Sequence, residues 1–284
     1  MELTEYQQRI VQYYRDTEHA YKDSWDLARS LAIHYGYWDE AVHSFPESLV
    51  RMNEIMMQAA AIQPADKVLD AGCGVGGSSI FLATILGCRV TGITLSARQC
   101  EQATAHAAGK NVAPLVNFQV MDYCRTDFAP ESFDVVWGCE SICYADDKEK
   151  FVQEAYRLLK PGGRLVVADG FVQAIEQNDH PVIRRWLDGW QVNYLESPER
   201  FSGYMAKAGF SDIHYRDISR EVMRSARRLY RFYYLAKLYV TWRKISFSRP
   251  PTALQMKNID ACKFQYRGLQ QRRWQYGLVV AKKP

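Results

Sequence analysis

Residues 70–77 read DAGCGVGG, and this stretch decides the fold of the chain. The glycines Gly72, Gly74 and Gly77 have the G-x-G-x-x-G spacing of turns that bring the backbone close to a bound nucleotide. Asp70 stands two residues before the first of them, where a dinucleotide-binding turn carries an apolar residue. The turn therefore predicts a ligand that requires both a close backbone approach and a carboxylate. An ordinary strand-to-helix turn capped by Asp70 is the alternative.

Segments with strand-like and helix-like patterns alternate around this turn. Seven short runs are typical of strands, and several of them are followed by segments with helical spacing. These runs are KVLDAG, CRVTGIT, VNFQVMD, FDVVWGC, GRLVVADGF, DIHYRDI and WQYGLVVAKK. The alternation predicts an α/β fold, with a mostly parallel seven-stranded sheet and helices on both faces.

The 284 residues divide into an N-terminal helical cap and one larger domain. Residues 1–62 look helical and carry no strong strand pattern, which indicates the cap. Residues 63–284 form the α/β domain, with cap insertions at about 172–197 and 219–273. The second insertion is too long for a hairpin loop, so we expect it to be a helical element.

The amino-acid composition of the chain indicates which kinds of partner it binds and in which cellular compartment it resides. The formal net charge is only +4, so no general nucleic-acid binding is expected. We expect no signal peptide, since the first residues include acids and no apolar core, and no apolar run is long enough to span a membrane. The seven cysteines form no C-x-x-C pair, which favours reduced thiols and a cytoplasmic protein.

The residues at the end of the second predicted strand help to distinguish a dinucleotide from other ligands. In a dinucleotide site an acid at this tip binds the ribose, but here residues 92–96 read GITLS. The carboxylate of Asp70 instead indicates a ligand with a cationic amine beside the first turn. S-adenosylmethionine fits this pattern, because its ammonium and sulfonium groups are cations and its amino-acid tail needs a close backbone approach.

Four segments carry a resemblance to a known family. VLDAGCGVGGSS resembles the first motif of class I S-adenosylmethionine-dependent methyltransferases, and MDY at 121–123, FDVVWGCESICY at 133–144 and RLLKPGGRLVVAD at 157–169 resemble their later motifs. HYGYWDE, GITLS and the long late insertion are similar to a narrower group. It contains sterol and tocopherol C-methyltransferases, small-amine N-methyltransferases, microbial terpenoid methyltransferases and cyclopropane fatty acid synthases. The resemblance implies an enzyme with a Rossmann-like class I methyltransferase fold.

The resemblance also implies which residues bind the cofactor. They are Asp70, Gly72, Gly74, Thr94, Leu95, Gln99, Asp122 and Tyr123. Asp70 and the two glycines would hold the methionine moiety, the next three residues the ribose, and Asp122 with Tyr123 the adenine. A helix-capping role for Asp122 is the alternative.

Glu140, in WGCESICY, is the candidate catalytic residue. Enzymes of this fold that methylate amino groups of bases or glutamine often carry N/D-P-P-Y here, which this chain lacks. The related sterol methyltransferases resemble it with a glutamate after the fourth strand. Such a carboxylate can stabilise a carbocation and remove its proton, whereas a glutamate that merely begins a helix is the alternative. No ligand set for a metal accompanies Cys139 and Cys143.

Aromatic residues outside the sheet predict a substrate pocket and a lid. The candidates are Tyr14, Tyr35, Tyr37, Trp38, Tyr144, Trp190 and Tyr233. Aromatic faces attract cations and enclose apolar substrates, although such rings can also form the core of the cap itself. We expect the first 30 to 40 residues to close over the sulfonium, with residues 34–38 making the closing contact, and a merely packed N-terminal helix is the alternative.

Together these features predict C-methylation of a lipophilic isoprenoid-type acceptor, such as a terpenoid, a sterol or a prenyl compound, in lipid or secondary metabolism. N-methylation of a small or alkaloid-like amine is the first alternative, because Glu140 and the aromatic rings would also serve an ammonium. A cofactor-binding regulatory protein without catalysis is the second.

The basic segment 224–244 leaves three interpretations open. It is a solvated basic face, a peripheral contact with anionic membranes, or a site for a substrate diphosphate. RNA binding has no recognised module to support it. The sequence also leaves the oligomeric state open, a homo-oligomer included.

Overall fold

A central sheet of seven strands organises the chain, in the order β3-β2-β1-β4-β5-β7-β6. The computed structural model describes residues 2–25, 30–245 and 252–284. The strands are β1 Lys67–Ala71, β2 Arg89–Thr94, β3 Val116–Val120, β4 Phe133–Cys139, β5 Leu159–Val172, β6 Ser211–Asp217 and β7 Trp274–Lys282. Only β7 runs antiparallel to its neighbours. The predicted fold class and all seven predicted strands are therefore confirmed.

Helices cover the sheet and build the cap. They are α1 Glu5–Trp25, α2 Phe45–Ala59, α3 Gly77–Leu86, α4 Ala97–Gly109, α5 Lys148–Leu158, α6 Pro181–Trp190, α7 Pro198–Ala208, α8 Ser219–Ile245 and α9 Ala253–Gln270, with short 3₁₀ turns at Ile142–Tyr144 and Ile175–Asp179. Several of these helices have a side-chain cap at their first turn. At the start of α4, for example, the Ser96 hydroxyl accepts a hydrogen bond from the Gln99 N–H. Within the described ranges, no helix is both long and apolar enough to cross a membrane.

The strand order places a crevice beside β1. In this order β2 and β3 lie on one side of β1, and β4 and the later strands lie on its other side. The direction in which the chain adds strands to the sheet therefore reverses at β1. Ligands of open α/β sheets bind at such a switch point, outside the carboxyl ends of the strands. The glycine-rich turn after β1, the Thr94 end of β2 and the Cys139 end of β4 all meet there.

The N-terminal segment and the late insertion are joined by hydrogen bonds. The Gly36 N–H donates to Ser225 Oγ of α8 over 3.0 Å, and the Tyr35 hydroxyl donates to Gln265 Oε1 of α9 over 2.7 Å. In the described residues, the segment predicted as the late insertion contains helices α8 and α9. Residues 26–29 of the predicted cap and 246–251 of the predicted insertion lie outside the described residues.

Candidate functional site

A cavity of about 110 Å³ lies at the switch point, between the ends of the strands and the N-terminal segment. Its walls include most of the residues proposed from the sequence: Asp70, Gly72, Gly74, Thr94, Leu95, Gln99, Tyr123 and Glu140. Ile10, Tyr14 and residues 31–34 cover it from the cap side. The fold thus assembles residues that are up to 130 positions apart in the chain.

Asp70 places a buried carboxylate at the end of β1. Its side chain is 2% exposed, and Oδ2 accepts from the Ser79 hydroxyl over 2.6 Å. Burial raises the pKa of this carboxyl to about 6, although the hydrogen bonds from Ser79 oppose the shift. A cationic group bound beside Asp70 would favour the ionised form and pair with it.

The turn that follows Asp70 requires glycine at two positions for different reasons. Gly72 has φ +95°, and a Cβ there would lie 3.0 Å from Ser141 Oγ and closer still to the Ser141 Cβ. Gly74 has φ +53°, and a Cβ there would meet no atom within 4 Å. Gly72 therefore allows close packing against the loop that follows β4, and Gly74 leaves room for a ligand beside the backbone.

The end of β2 presents a hydroxyl and an amide to the same cavity. Thr94 Oγ1 donates to Gln99 Oε1 over 2.8 Å, and the two side chains both line the wall. Neutral polar groups here can bind a ribose hydroxyl pair, in place of the acid of dinucleotide sites. Together with the Asp70 carboxylate and the glycine turn, this set of groups fits S-adenosylmethionine.

Asp122 is not among the residues that line this cavity. Its Oδ1 accepts from the Cys124 N–H over 2.8 Å, and its Oδ2 accepts from Gln7 Nε2 of α1 over 2.7 Å. An amide of the cap thus already donates to the carboxylate that the resemblance assigns to the adenine, and a carboxylate oxygen can accept a second hydrogen bond. The neighbouring Tyr123 does line the wall, and its hydroxyl donates to the Ser141 carbonyl over 2.7 Å.

Glu140 holds a buried carboxylate between the cap and the sheet. Its backbone is in the left-handed region at φ +49°, a strained conformation for a residue with a side chain, and such strain clusters at functional sites. Oε1 accepts from the Tyr276 hydroxyl over 2.7 Å and from the Tyr35 N–H over 2.5 Å. Burial raises the pKa of Glu140 to about 8, against the effect of both hydrogen bonds.

A second, aromatic cavity adjoins the first, and Glu140 lies on the wall of both. Its rings are Tyr14, Tyr35, Tyr144, Trp186, Trp190, Trp274 and Tyr276. Asp169, in the second half of β5, adds another buried carboxylate whose pKa is raised by burial. The ring faces and carboxylates of this cavity can stabilise positive charge, but its volume is about 40 Å³, so an acceptor the size of a prenyl chain would enter only if the cap moved outward.

Among the aromatic and acidic residues of this wall, four are not among those named for the pocket from the sequence: Trp186, Trp274, Tyr276 and Asp169. Two signals could have found the rings. Trp186 precedes Trp190 by one helical turn, and Trp274 and Tyr276 alternate on one face of β7. Asp169 lies near the carboxyl end of the fifth strand, which continues to Val172, toward the sheet edge where ligands bind.

Three of the aromatic residues proposed for the pocket lie outside both cavities. The Tyr37 hydroxyl accepts from Arg216 Nη2 over 2.7 Å, and Trp38 Nε1 donates to Ser225 Oγ over 2.9 Å. Tyr233 lies on α8, where its ring packs against Tyr234 at a centroid distance of 5.1 Å. These side chains belong to the packing and surface of the cap, which is the alternative that the sequence left open.

Comparisons with known proteins show which proteins this chain resembles. A family model described as a methyltransferase domain matches residues 69–167. The O-methyltransferase rstn1 of Aspergillus nomiae is 32% identical over 66% of this chain and 83% of its own length. The 2-methyl-6-phytyl-1,4-hydroquinone methyltransferase of Synechocystis is 36% identical over 62% of this chain and 58% of its own length.

Some relatives are longer than the matched region. The chain spans 55% of the tocopherol O-methyltransferase of Arabidopsis thaliana, which is 31% identical over 66% of this chain. Among solved structures, the geranyl diphosphate C-methyltransferase of Streptomyces coelicolor superposes with a TM-score of 0.77 at 21% identity, and the match covers 100% of both chains. This last similarity is one of fold.

The carboxylate of Asp70 generates the first prediction. Asp70→Asn should weaken S-adenosylmethionine binding roughly ten- to hundred-fold, since a charge-assisted hydrogen bond contributes about 1.5–3 kcal/mol. Affinity of the unmodified protein should also fall as the pH drops below about 6, because a protonated Asp70 cannot pair with an ammonium. Calorimetric titration checks both, with the exposed Asp212→Asn as control. Unchanged affinity in a folded Asp70→Asn protein would contradict the assignment.

The contact between Gly77 and the N-terminal segment generates the second prediction. A Cβ at Gly77 would lie 2.8 Å from the Leu31 carbonyl carbon and closer to its oxygen, so Gly77→Ala should displace residues 31–35 from the cavity. Limited proteolysis should then cut within residues 1–40 faster, and added S-adenosylmethionine should protect the unmodified protein more than the variant. Gly109→Ala, where a Cβ meets no atom within 4 Å, is the matched control. Equal cleavage of all three proteins argues against a lid.

Proposed function

Because the chain belongs to the class I S-adenosylmethionine-dependent methyltransferases, we propose that it methylates a carbon atom of a lipophilic isoprenoid-type acceptor. The observation that carries the proposal is the aromatic cavity beside the cofactor cavity, with Glu140 on their common wall. An apolar acceptor in the second cavity would lie next to the donor in the first.

S-adenosylmethionine supplies an electrophilic methyl group on a positively charged sulfur. The aromatic rings would hold the acceptor and exclude water, which would otherwise capture a cationic intermediate as an alcohol. As the π electrons of an acceptor alkene form the bond to the methyl carbon, the S–CH₃ bond would break with its electron pair going to sulfur, S-adenosylhomocysteine would be the leaving group, and a positive charge would remain on the neighbouring carbon of the acceptor. The ring faces and the carboxylates of Glu140 and Asp169 would stabilise this charge, and Glu140 would take the proton that restores a neutral product.

The names of relatives support a prenylated acceptor. One of them acts on a phytyl hydroquinone, and another is named for tocopherol. The structural neighbour with the same fold carries geranyl diphosphate. In each case the named compound bears an isoprenoid chain, which an aromatic cavity can enclose.

O-methylation is a second candidate, favoured by the raised pKa of Glu140. A carboxylate with a pKa of about 8 is a stronger base than an ordinary glutamate, and it can remove a proton from a hydroxyl while the oxygen receives the methyl group. Relatives named as O-methyltransferases agree with this chemistry. The methylated atom decides between the candidates.

Products made from ¹³C-methyl S-adenosylmethionine test the proposal. Geranyl diphosphate, a phytyl hydroquinone, a small phenol and a tertiary amine would be offered in parallel, and carbon NMR would show whether the new methyl is bound to carbon, oxygen or nitrogen. We expect a carbon-bound methyl on a prenylated acceptor. Exclusive transfer to oxygen would establish the second candidate, and exclusive transfer to nitrogen would establish the amine alternative.

The proposed base generates a prediction for turnover. Glu140→Gln should lower kcat about 10²- to 10⁴-fold, the usual contribution of a positioned base, and should leave cofactor affinity within a few-fold of normal. Single-turnover kinetics and calorimetry measure the two quantities, with the exposed Glu101→Gln as control. Retention of most of the turnover would mean that another group accepts the proton.

The Tyr276 hydroxyl generates a prediction for the pH profile. Glu140 works as a base only when ionised, so the rate should rise with pH to a plateau, with a midpoint at or below about 8 once the cationic cofactor is bound. The Tyr276 hydrogen bond lowers the pKa of Glu140, so Tyr276→Phe should move the midpoint to higher pH. Its activity should be reduced at pH 7 and largely recovered at pH 9. A uniform loss at every pH would indicate a packing defect instead.

A further inference from the structure

The exposed face of α8 changes character along its length. In its first half the exposed side chains include four arginines, at Arg220, Arg224, Arg227 and Arg231. Among the residues of its second half whose side chains the structure describes, up to Trp242, the exposed ones are mostly large and apolar: Tyr234 (50% exposed), Leu235 (60%), Leu238 (67%), Tyr239 (57%) and Trp242 (61%). Successive members of the two sets are three, four or one residues apart in the sequence. This spacing places the arginines and the apolar residues on the same side of the helix.

Folding does not require this face, because the opposite side of α8 is already packed. Val222, Ala226, Leu229 and Val240 are buried against the rest of the protein. Among the described residues, five of the eight large apolar side chains that are strongly exposed lie in the second half of α8. Scattered exposed apolar residues are normal, but a contiguous group of this kind marks a surface that another phase or partner covers.

The charges around this face are almost all positive. Helix α8 contains eight lysines and arginines and one acid, Glu221. Glu221 lies 3.8 Å from Arg216, and Asp260, the acid of α9, pairs with Lys237 at 2.7 Å. The acids of the two helices therefore do not neutralise the exposed arginines, which remain available to an anionic partner.

We propose that this face of α8 binds the surface of an anionic lipid bilayer. Trp and Tyr prefer the level of the lipid headgroups, Leu enters the acyl boundary, and arginines pair with lipid phosphates. In the sequence of the helix the apolar set lies between basic residues, with the arginines up to Arg231 before it and Arg243 and Lys244 after it. The helix would therefore lie along the interface, with its apolar side chains toward the acyl boundary and its exposed arginines at the level of the phosphates.

Binding to a bilayer would place the cap against a reservoir of apolar acceptors. Ser225 of α8 holds the segment that carries Tyr35, and Tyr35 lines the aromatic cavity. The inference does not depend on which atom is methylated. A protein that fails to bind vesicles would still be able to methylate a dispersed acceptor, so the two proposals fail separately.

Co-sedimentation with vesicles tests the surface. The full chain should bind vesicles of phosphatidylglycerol and phosphatidylcholine at least tenfold more strongly than vesicles of phosphatidylcholine alone. Arg227→Gln with Arg231→Gln should reduce binding to the anionic vesicles at least tenfold, since each arginine contributes about fivefold. Leu238→Asp with Trp242→Ala should reduce it by a similar factor. Ile85→Asp, an equally exposed apolar residue on α3, should change nothing.

Two results would overturn the proposal. One is equal binding of the unmodified protein and the Leu238→Asp, Trp242→Ala variant to anionic vesicles. The other is a particle mass, measured by light scattering without lipid, that halves in this variant, since the face would then be covered by a second copy of the chain. Calorimetric titration with S-adenosylmethionine shows that each variant is folded.

Discussion

The carboxylate of Glu140 is the point on which the functional arrangement depends. It follows β4 in a strained backbone conformation, and it accepts from Tyr35 of the cap and from Tyr276 of β7. A buried carboxylate needs such donors, because without them the ionised form would lose its solvation without compensation. The same two hydrogen bonds therefore stabilise the charge, attach the cap to the sheet and place Glu140 on the wall between the two cavities.

Much of the fold was predictable because its signals are local. Each strand carries its own apolar pattern, and the turn after β1 contains both the glycines and Asp70 within eight residues. The aromatic cavity was only partly predictable, since Tyr276 reaches Glu140 only because β7 inserts antiparallel between β5 and β6. The aromatic character of a residue also does not show where its ring lies. Tyr35 lines the aromatic cavity, whereas the ring of Trp38 lies 4.0 Å from the guanidinium of Arg224.

The buried carboxylates of Asp70 and Glu140 would be stabilised by positive charges that arise at different stages of the reaction. Asp70 would gain a permanent cationic partner whenever S-adenosylmethionine is bound, whereas Glu140 would gain one only as positive charge develops on an acceptor. Burial raises the pKa of both groups, so each is ready to be stabilised by positive charge. This division matches an enzyme in which binding and chemistry occur at adjacent but separate walls.

The packing of Leu31 over Gly77 bears on the end of the catalytic cycle, because both residues line the cofactor cavity. If the demethylated cofactor leaves on the side that the N-terminal segment covers, it can do so only after this segment separates from the sheet domain. Its residence time is then set by how often the segment opens, and not by the affinity of the cavity alone. An enzyme built in this way can transfer methyl groups quickly and still turn over slowly, with an overall rate that follows the viscosity of the solvent.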